Sequence, residues 1–190
     1  PHILRYNERI KINGIEIDDA SLLETFEMID EVRGDTTLTY FEFATLSAFY
    51  LFSKSNLDVA VLEVGLGGRL DATNIVDSDI SIITSIGIDH TEFLGNTIDS
   101  IALEKAGVMR PFKTCIYAQE KPPAALLKYA KNKSVNLLIH NNDYRVNLGS
   151  SNWSLKSKNN SIDEIPNLKM IGDYQYNYAA ASLLALDAIL

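Results

Sequence analysis

Cysteine occurs once in the 190 residues, as Cys115, which rules out an internal disulfide framework and suits a reducing compartment, the cytoplasm. Long apolar runs are missing too. The longest, such as Ile80 to Ile88, fall well short of the roughly 20 residues a membrane helix needs, so no membrane partner is expected. The opening Pro1-His2-Ile3-Leu4-Arg5-Tyr6 lacks the charged-then-apolar layout of a secretory signal. Positive charge is in deficit: 17 Lys and Arg face 25 Asp and Glu, a formal charge of −8, which argues against nucleic acid as a partner. An anionic ligand must therefore be held by local features such as helix ends, metal ions and a few placed cations. Internal repeats and low-complexity segments are absent. What is present, 46% hydrophobic and 22% charged residues, is the composition of one globular domain able to bury a core.

From Leu57 onward, apolar strands alternate with helical segments. Leu57 to Val64 and Ile80 to Ile88 are β-rich and almost continuously apolar, the pattern of strands covered on both faces of a parallel sheet. A helix is predicted over Thr97 to Met109, with a Thr start signal and an acidic first turn. A strand at Thr114 to Ala118, a helix at Pro123 to Lys131 and a strand at Val135 to Ile139 continue the βαβ rhythm. Upstream, Asp18 to Arg33 and Tyr40 to Ser53 carry apolar residues at helical spacing, and the second, apolar nearly all round, is expected to be buried. Ile10 to Ile17 reads as a hairpin turning at Asn13-Gly14. Val146 to Ile165, rich in Ser, Asn and Lys, reads as peripheral strands or a loop, and a helix runs from about Tyr174 to Leu190. Neither end carries a start or stop signal, so a piece of a longer protein is expected. The fold class is α/β, a mostly parallel sheet with flanking helices, and residues 1–190 are taken as one incomplete domain.

Glu63 ends an apolar strand immediately before Gly65-Leu66-Gly67-Gly68. Burying a carboxylate there costs several kcal/mol unless it is paired, hydrogen-bonded or bound to metal. Two readings stand: a structural acceptor for the glycine turn, or a ligand-binding group at the carboxyl end of a strand, where open α/β sheets collect ligands. His90 occupies the same place after the next strand, as a metal ligand or a local hydrogen bonder. Carboxylate and imidazole at neighbouring strand ends suit Mg²⁺ shared with phosphates. On pattern alone, Lys105 is an exposed helix lysine and Phe41 a core aromatic.

The run Val61-Leu62-Glu63-Val64-Gly65-Leu66-Gly67-Gly68-Arg69-Leu70-Asp71-Ala72-Thr73-Asn74-Ile75-Val76 resembles the second diagnostic motif of the folylpolyglutamate synthase and dihydrofolate synthase family, within the Mur ligase superfamily. Pro1 to Ile10, Thr39 to Thr45, Asp89 to Gly95 and Glu104 to Gly107 agree in the same order. The resemblance is firm to about Gly107 and looser beyond.

That resemblance implies a Mur-ligase-like central ATP-binding domain in which Glu63 and His90 ligate Mg²⁺ bridging ATP phosphates. It implies that Lys105 is carbamylated by CO₂ into an anion that ligates a second Mg²⁺. Thr39, Phe41 and Asp71 match positions lining a pterin pocket, and Pro1 to Arg9 resembles a loop closing over pteroate. Gly172-Asp173-Tyr174-Gln175 resembles an adenine-side segment, carrying over Gln175 and Asn177, with Tyr174 where the family has His. The implied activity is that of a cytoplasmic, monomeric, ATP-dependent carboxylate–amine ligase of folate biosynthesis and one-carbon metabolism. It would join L-glutamate to dihydropteroate, to reduced folates, or to both. A monofunctional folylpolyglutamate synthase is the first alternative; a peptidoglycan Mur ligase and a degenerate, non-catalytic nucleotide- or pterin-binding module follow. The family's phosphate-binding loop and its C-terminal domain have no counterpart in these 190 residues, so activity is expected only in a longer chain.

Overall fold

A computed structural model describes residues 2–158 and 160–189; the first and last residues of the expected elements at the two ends lie outside them. Packing divides the chain into two compact units, Pro1–Gly65 and Leu66–Leu190.

The first unit starts from local turn chemistry. Asn13 and Gly14 both take positive φ, 53° and 79°, the backbone a two-residue hairpin requires, and they join β1 (Lys11–Ile12) to β2 (Ile15–Glu16). Helix α1 (Asp19–Arg33) begins where Asp18 accepts the Ser21 N–H at 2.8 Å. Helix α2 (Tyr40–Ser53) begins with a reciprocal box: Thr39 N–H donates to Glu42 Oε2 at 2.7 Å and Thr39 Oγ1 accepts the Glu42 N–H at 3.2 Å. The expected burial of α2 is corrected: only its small residues Ala44, Thr45 and Ser47 are buried, while Tyr40 is 56% and Leu46 42% exposed. Apolar content all round a helix does not set its depth; a face of small side chains lets a neighbouring helix approach and leaves the large ones around the rim.

The run Leu57 to Val64 is a second correction. It enters no ladder among the described residues, and Val61 is 88% exposed. A strand exists only through a partner's hydrogen bonds, so apolar β-formers without one remain extended but unpaired.

The second unit holds the βαβ rhythm. Parallel strands β3 (Ile80–Ile83), β4 (Thr114–Tyr117) and β5 (Asn136–Ile139) lie in the order β3-β4-β5, in register Ile80–Thr114–Asn136. Strand β3 stops at Ile83, short of the expected Ile88. The short helix α3 (Thr91–Leu94) and α4 (Ile98–Ala106) connect β3 to β4, and α5 (Ala124–Asn132) connects β4 to β5. The Ser- and Asn-rich segment forms an antiparallel meander of β6 (Tyr144–Leu148), β7 (Asn152–Ser157) and β8 (Ser161–Pro166), followed by α6 (Tyr174–Ile189). Strand alternation divides the core around β4. Cys115 and Tyr117 pack with Ala102, Ala106 and Leu126 of α4 and α5, whereas Ile116 packs with Trp153 of the meander and Ala180 of α6. Among the described residues no helix is long and apolar enough to cross a membrane.

One crossing fixes the glycine-rich loop. Arg69 N–H donates to the Glu104 carbonyl in the last turn of α4 at 2.8 Å. A Cβ on Gly68 would fall 2.8 Å from that oxygen, and one on Gly107 only 2.4 Å from Arg69 Cβ. The Arg69 guanidinium holds Glu104 Oε1 through Nε (3.0 Å) and Nη2 (2.9 Å). Asn74 Nδ2 donates to the Arg69 and Gly107 carbonyls, both at 3.1 Å. Arg110, its side chain 16% exposed, donates through Nη1 to the Gly107 and Val108 carbonyls and through Nη2 to Asn74 and Val76. A cation at the carbonyl end of a helix is where the helix dipole favours it.

His140 follows β5 and is buried at 6% exposure, with neither ring nitrogen partnered among the described residues. Burial pushes its basicity below the usual imidazole value, and Glu120 opposes this in part.

Two predictions follow from this packing. Gly107 has an ordinary helical backbone, so helix propensity alone predicts that Gly107→Ala stabilises by about 1 kcal/mol. The contact with Arg69 instead predicts a loss of about 1–3 kcal/mol in urea unfolding, while Gly87→Ala, with open space around it, stays neutral. For His140 the unfolded state binds the proton more tightly than the folded one. Its contribution is therefore complete above about pH 6.5 and is lost as pH falls through the lower folded-state value. A His140→Leu variant should show a shallower fall in stability between pH 6.5 and 5 than the parent in parallel denaturation curves.

Candidate active site

In the first unit the first turn of α2 and the segment before α1 shape an open cavity of about 420 Å³, lined by Tyr6, Phe26, Leu38, Thr39, Tyr40 and Phe43. That is a size suited to a small-molecule ligand. The rings brace one another edge to face: Tyr6 on Phe26 (5.3 Å), Tyr6 on Tyr40 (5.2 Å) and Phe26 on Phe43 (5.3 Å). Burial pushes the Tyr6 hydroxyl up to about 12, with Tyr40 adding to the shift and Arg9 opposing it, so it stays protonated as a donor.

Thr39 lines this cavity, as expected of a pocket residue. Phe41 does not; its half-buried ring lies against Gly65, where a Cβ would come 2.8 Å from Phe41 Cζ. Tyr40 and Phe43 present the aromatic surface instead. Their i, i+3 spacing places them on one helix face and turns Phe41 more than a third of a turn away from it, a signal present in the sequence.

The segment from His2 to Arg9 is held by Glu8. Its carboxylate accepts the N–H groups of Ile3, Leu4 and Arg5 at 2.8, 2.9 and 2.7 Å, and these bonds pull its acidity down to about 2. Ile3 and Leu4 are left 88% and 87% exposed.

Glu63 lies at the end of the first unit in the unpaired Leu57 to Val64 run, and it is exposed. The cost of burial that singled it out in the sequence is therefore not incurred. Its carboxylate makes no hydrogen bond or ion pair among the described residues, which leaves both oxygens open to a cation.

In the second unit, Asp71 caps the turn Ala72–Ile75. Oδ1 accepts from Thr73 N (3.0 Å) and Thr73 Oγ1 (2.6 Å), and Oδ2 accepts from Leu66 N (3.0 Å). His90 sits before α3 with left-handed backbone (φ 49°, ψ 41°), and its carbonyl accepts the Phe93 and Leu94 N–H groups at 3.0 Å. A left-handed non-glycine residue costs roughly 1–2 kcal/mol, and such residues gather at functional sites. Its imidazole is exposed, with Nε2 3.7 Å from Asp89 Oδ2 and neither nitrogen hydrogen-bonded among the described residues. Lys105, half-buried in the last turn of α4, has no ion pair among them, because Arg69 takes the neighbouring Glu104. Gln175 and Asn177 stand half-buried in the first turn of α6.

Mg²⁺ takes one or two carboxylate-type protein ligands and completes its shell with phosphates and water; the exposed Glu63 carboxylate suits that role, and the His90 imidazole is a separate uncommitted donor. Among the described residues no group of three or more His, Cys, Asp or Glu could hold a metal by itself. Arg110 leaves no mark in the sequence because its distant partners, the Asp77 carboxylate and the carbonyl and amide of Asn74, lie 33 and 36 residues upstream, which no local pattern announces.

Comparison with known proteins shows the family. The family model described as the Mur ligase middle domain matches residues 6–186. The dihydrofolate synthase/folylpolyglutamate synthase of Escherichia coli (strain K12) is 40% identical over 166 residues, 87% of this chain and 39% of that protein. Escherichia coli FolC in complex with DHPP and ADP superposes with a TM-score of 0.92 at 40% identity, covering 100% of this chain and 45% of that one. A bifunctional folylpolyglutamate synthase/dihydrofolate synthase with Mn, AMPPNP and L-glutamate bound gives a TM-score of 0.87 at 41% identity, again covering 100% and 45%. The chain thus spans less than half the length of these relatives, and it belongs to the Mur ligase middle-domain family.

Proposed function

We propose that the full-length protein is an ATP- and Mg²⁺-dependent ligase that adds L-glutamate to dihydropteroate and to reduced folates through an acyl phosphate. Residues 1–190 would be part of its central ATP- and pteroate-binding domain. The observation that carries this reading is the unbroken run Val61 to Val76, set in a chain 40% identical to a dihydrofolate synthase/folylpolyglutamate synthase. The ligands in the titles of the related structures, DHPP, ADP, AMPPNP, Mn and L-glutamate, support the same substrates and cofactors for this chain. The lone thiol, Cys115, fully buried and pushed up to about 11 by that burial, is inert, in keeping with a cytoplasmic setting.

A carboxylate oxygen of the acceptor attacks the γ-phosphorus of ATP, ADP leaves, and the glutamate amine then displaces phosphate from the acyl carbon with loss of a proton. A divalent ion held by Glu63 and His90 would offset charge on the transferring phosphoryl group. Lys105 would add its neutral amine to CO₂, forming an N–C bond and releasing a proton, which turns a cation into an anion able to bind a second divalent ion. Thr39, Phe41 and Asp71 would line the pterin pocket, and Gln175 and Asn177 would face adenine. The protein contributes position and electrostatics, with no covalent enzyme intermediate.

The test uses full-length protein. Glu63→Ala and His90→Gly, the latter suited to the left-handed backbone, should lower ATP-dependent glutamate incorporation by about 100-fold or more with no fall in the thermal midpoint, because both side chains are exposed and make no hydrogen bond among the described residues. Native mass spectrometry should show one added CO₂ that Lys105→Met abolishes. Near-normal turnover of the two variants, or active enzyme without the added mass, contradicts the respective assignment.

A further inference from the structure

Of the five Lys and Arg residues of the first unit, three are ion-paired and Lys54 lies over the Tyr50 ring. Arg5 pairs with Asp19 (2.5 Å), Lys11 with Glu16 (3.4 Å) and Arg33 with Asp30. Arg9 is different. Half-buried, it lies with Cζ 5.2 Å from the Tyr40 ring centre and 5.8 Å from that of Tyr6, two of the rings that line the aromatic cavity. Its Nε donates to His2 Nδ1 at 2.8 Å. Among the described residues neither Nη1 nor Nη2 has an acceptor, and no carboxylate balances the charge. Keeping a partly desolvated guanidinium without a counter-charge is unfavourable, and its stacking on two tyrosines offsets that only in part. An open aromatic cavity therefore stands beside a planar fork whose two amino groups have no acceptor among the described residues, the geometry that matches a carboxylate with two parallel hydrogen bonds.

We propose that Arg9 binds the non-reacting carboxylate of a glutamate-bearing acceptor and so decides between the two acceptor classes. This rests on the ligase reading above. Tetrahydrofolate ends in a glutamate with two carboxylates, of which one is extended; dihydropteroate has only the carboxylate that reacts. A guanidinium fork on the reacting carboxylate would tie up both oxygens and drain the electron density needed to attack phosphorus. Its chemistry suits the spectator carboxylate. Arg9 is then a specificity residue, required for the folate acceptor and dispensable for dihydropteroate.

The experiment is calorimetric titration of the full-length protein with dihydropteroate and with tetrahydrofolate, on the parent, Arg9→Met and Arg9→Lys. Methionine keeps an apolar stem over the two rings, and lysine keeps the charge without the fork. Arg9→Met should raise the Kd for tetrahydrofolate by about 10- to 100-fold and that for dihydropteroate by less than about threefold, with Arg9→Lys in between. Equal weakening of both acceptors, or of neither, overturns the assignment of Arg9 while leaving the ligase reading intact. Parent protein that binds neither acceptor contradicts the pteroate reading itself, and this proposal with it.

Discussion

The glycine-rich loop and the last turn of α4 meet backbone to backbone, and much of the second unit's candidate chemistry is placed by that meeting. Gly68 and Gly107 remove the two Cβ atoms that would stand in the way, and the gap closes far enough for the Arg69 N–H to reach the Glu104 carbonyl. Around it, Asn74 and Arg110 bond the carbonyls that the end of α4 leaves unsatisfied. One side of the crossing carries Asp71 and the other carries Lys105. The glycines of the loop are thus explained by contacts inside the protein, before any ligand approaches. Gly67, with φ at +69°, adds a backbone position that favours glycine.

Much of this was readable in the sequence wherever the cause is local. Asn13-Gly14 specifies its turn, Asp18, Thr39 and Thr97 specify helix starts, and the apolar runs at β4 and β5 specify strands between helices. Legibility failed where the cause lies elsewhere in the chain. Leu57 to Val64 has the composition of a strand, yet pairing depends on a partner that composition does not reveal. In the Ser- and Asn-rich segment the alternation of Trp153 and Leu155 is visible, yet composition leaves strand and loop open and does not reveal that both side chains enter the core. The candidate site divides the same way. Glu63, His90 and Lys105 stand out by motif, and Thr39 lines the aromatic cavity beside Tyr40 and Phe43 while Phe41 does not. Arg9 lies in a segment that the resemblance marks, whereas Arg110 leaves no local signal.

The two units contribute different chemistry. The first offers rings packed edge to face, a protonated phenol and a guanidinium with no ion pair among the described residues. The second offers a rigid loop, an exposed imidazole on left-handed backbone and a lysine whose neighbouring carboxylate is already taken.

The backbone crossing is tested most directly by amide hydrogen exchange followed residue by residue. The Arg69 N–H, in a loop with no ladder to protect it, should exchange as slowly as amides of the central strand such as Ile116, and far more slowly than the exposed Gly87. Exchange of Arg69 at the rate of Gly87 would contradict the account, since the loop would then be free of α4.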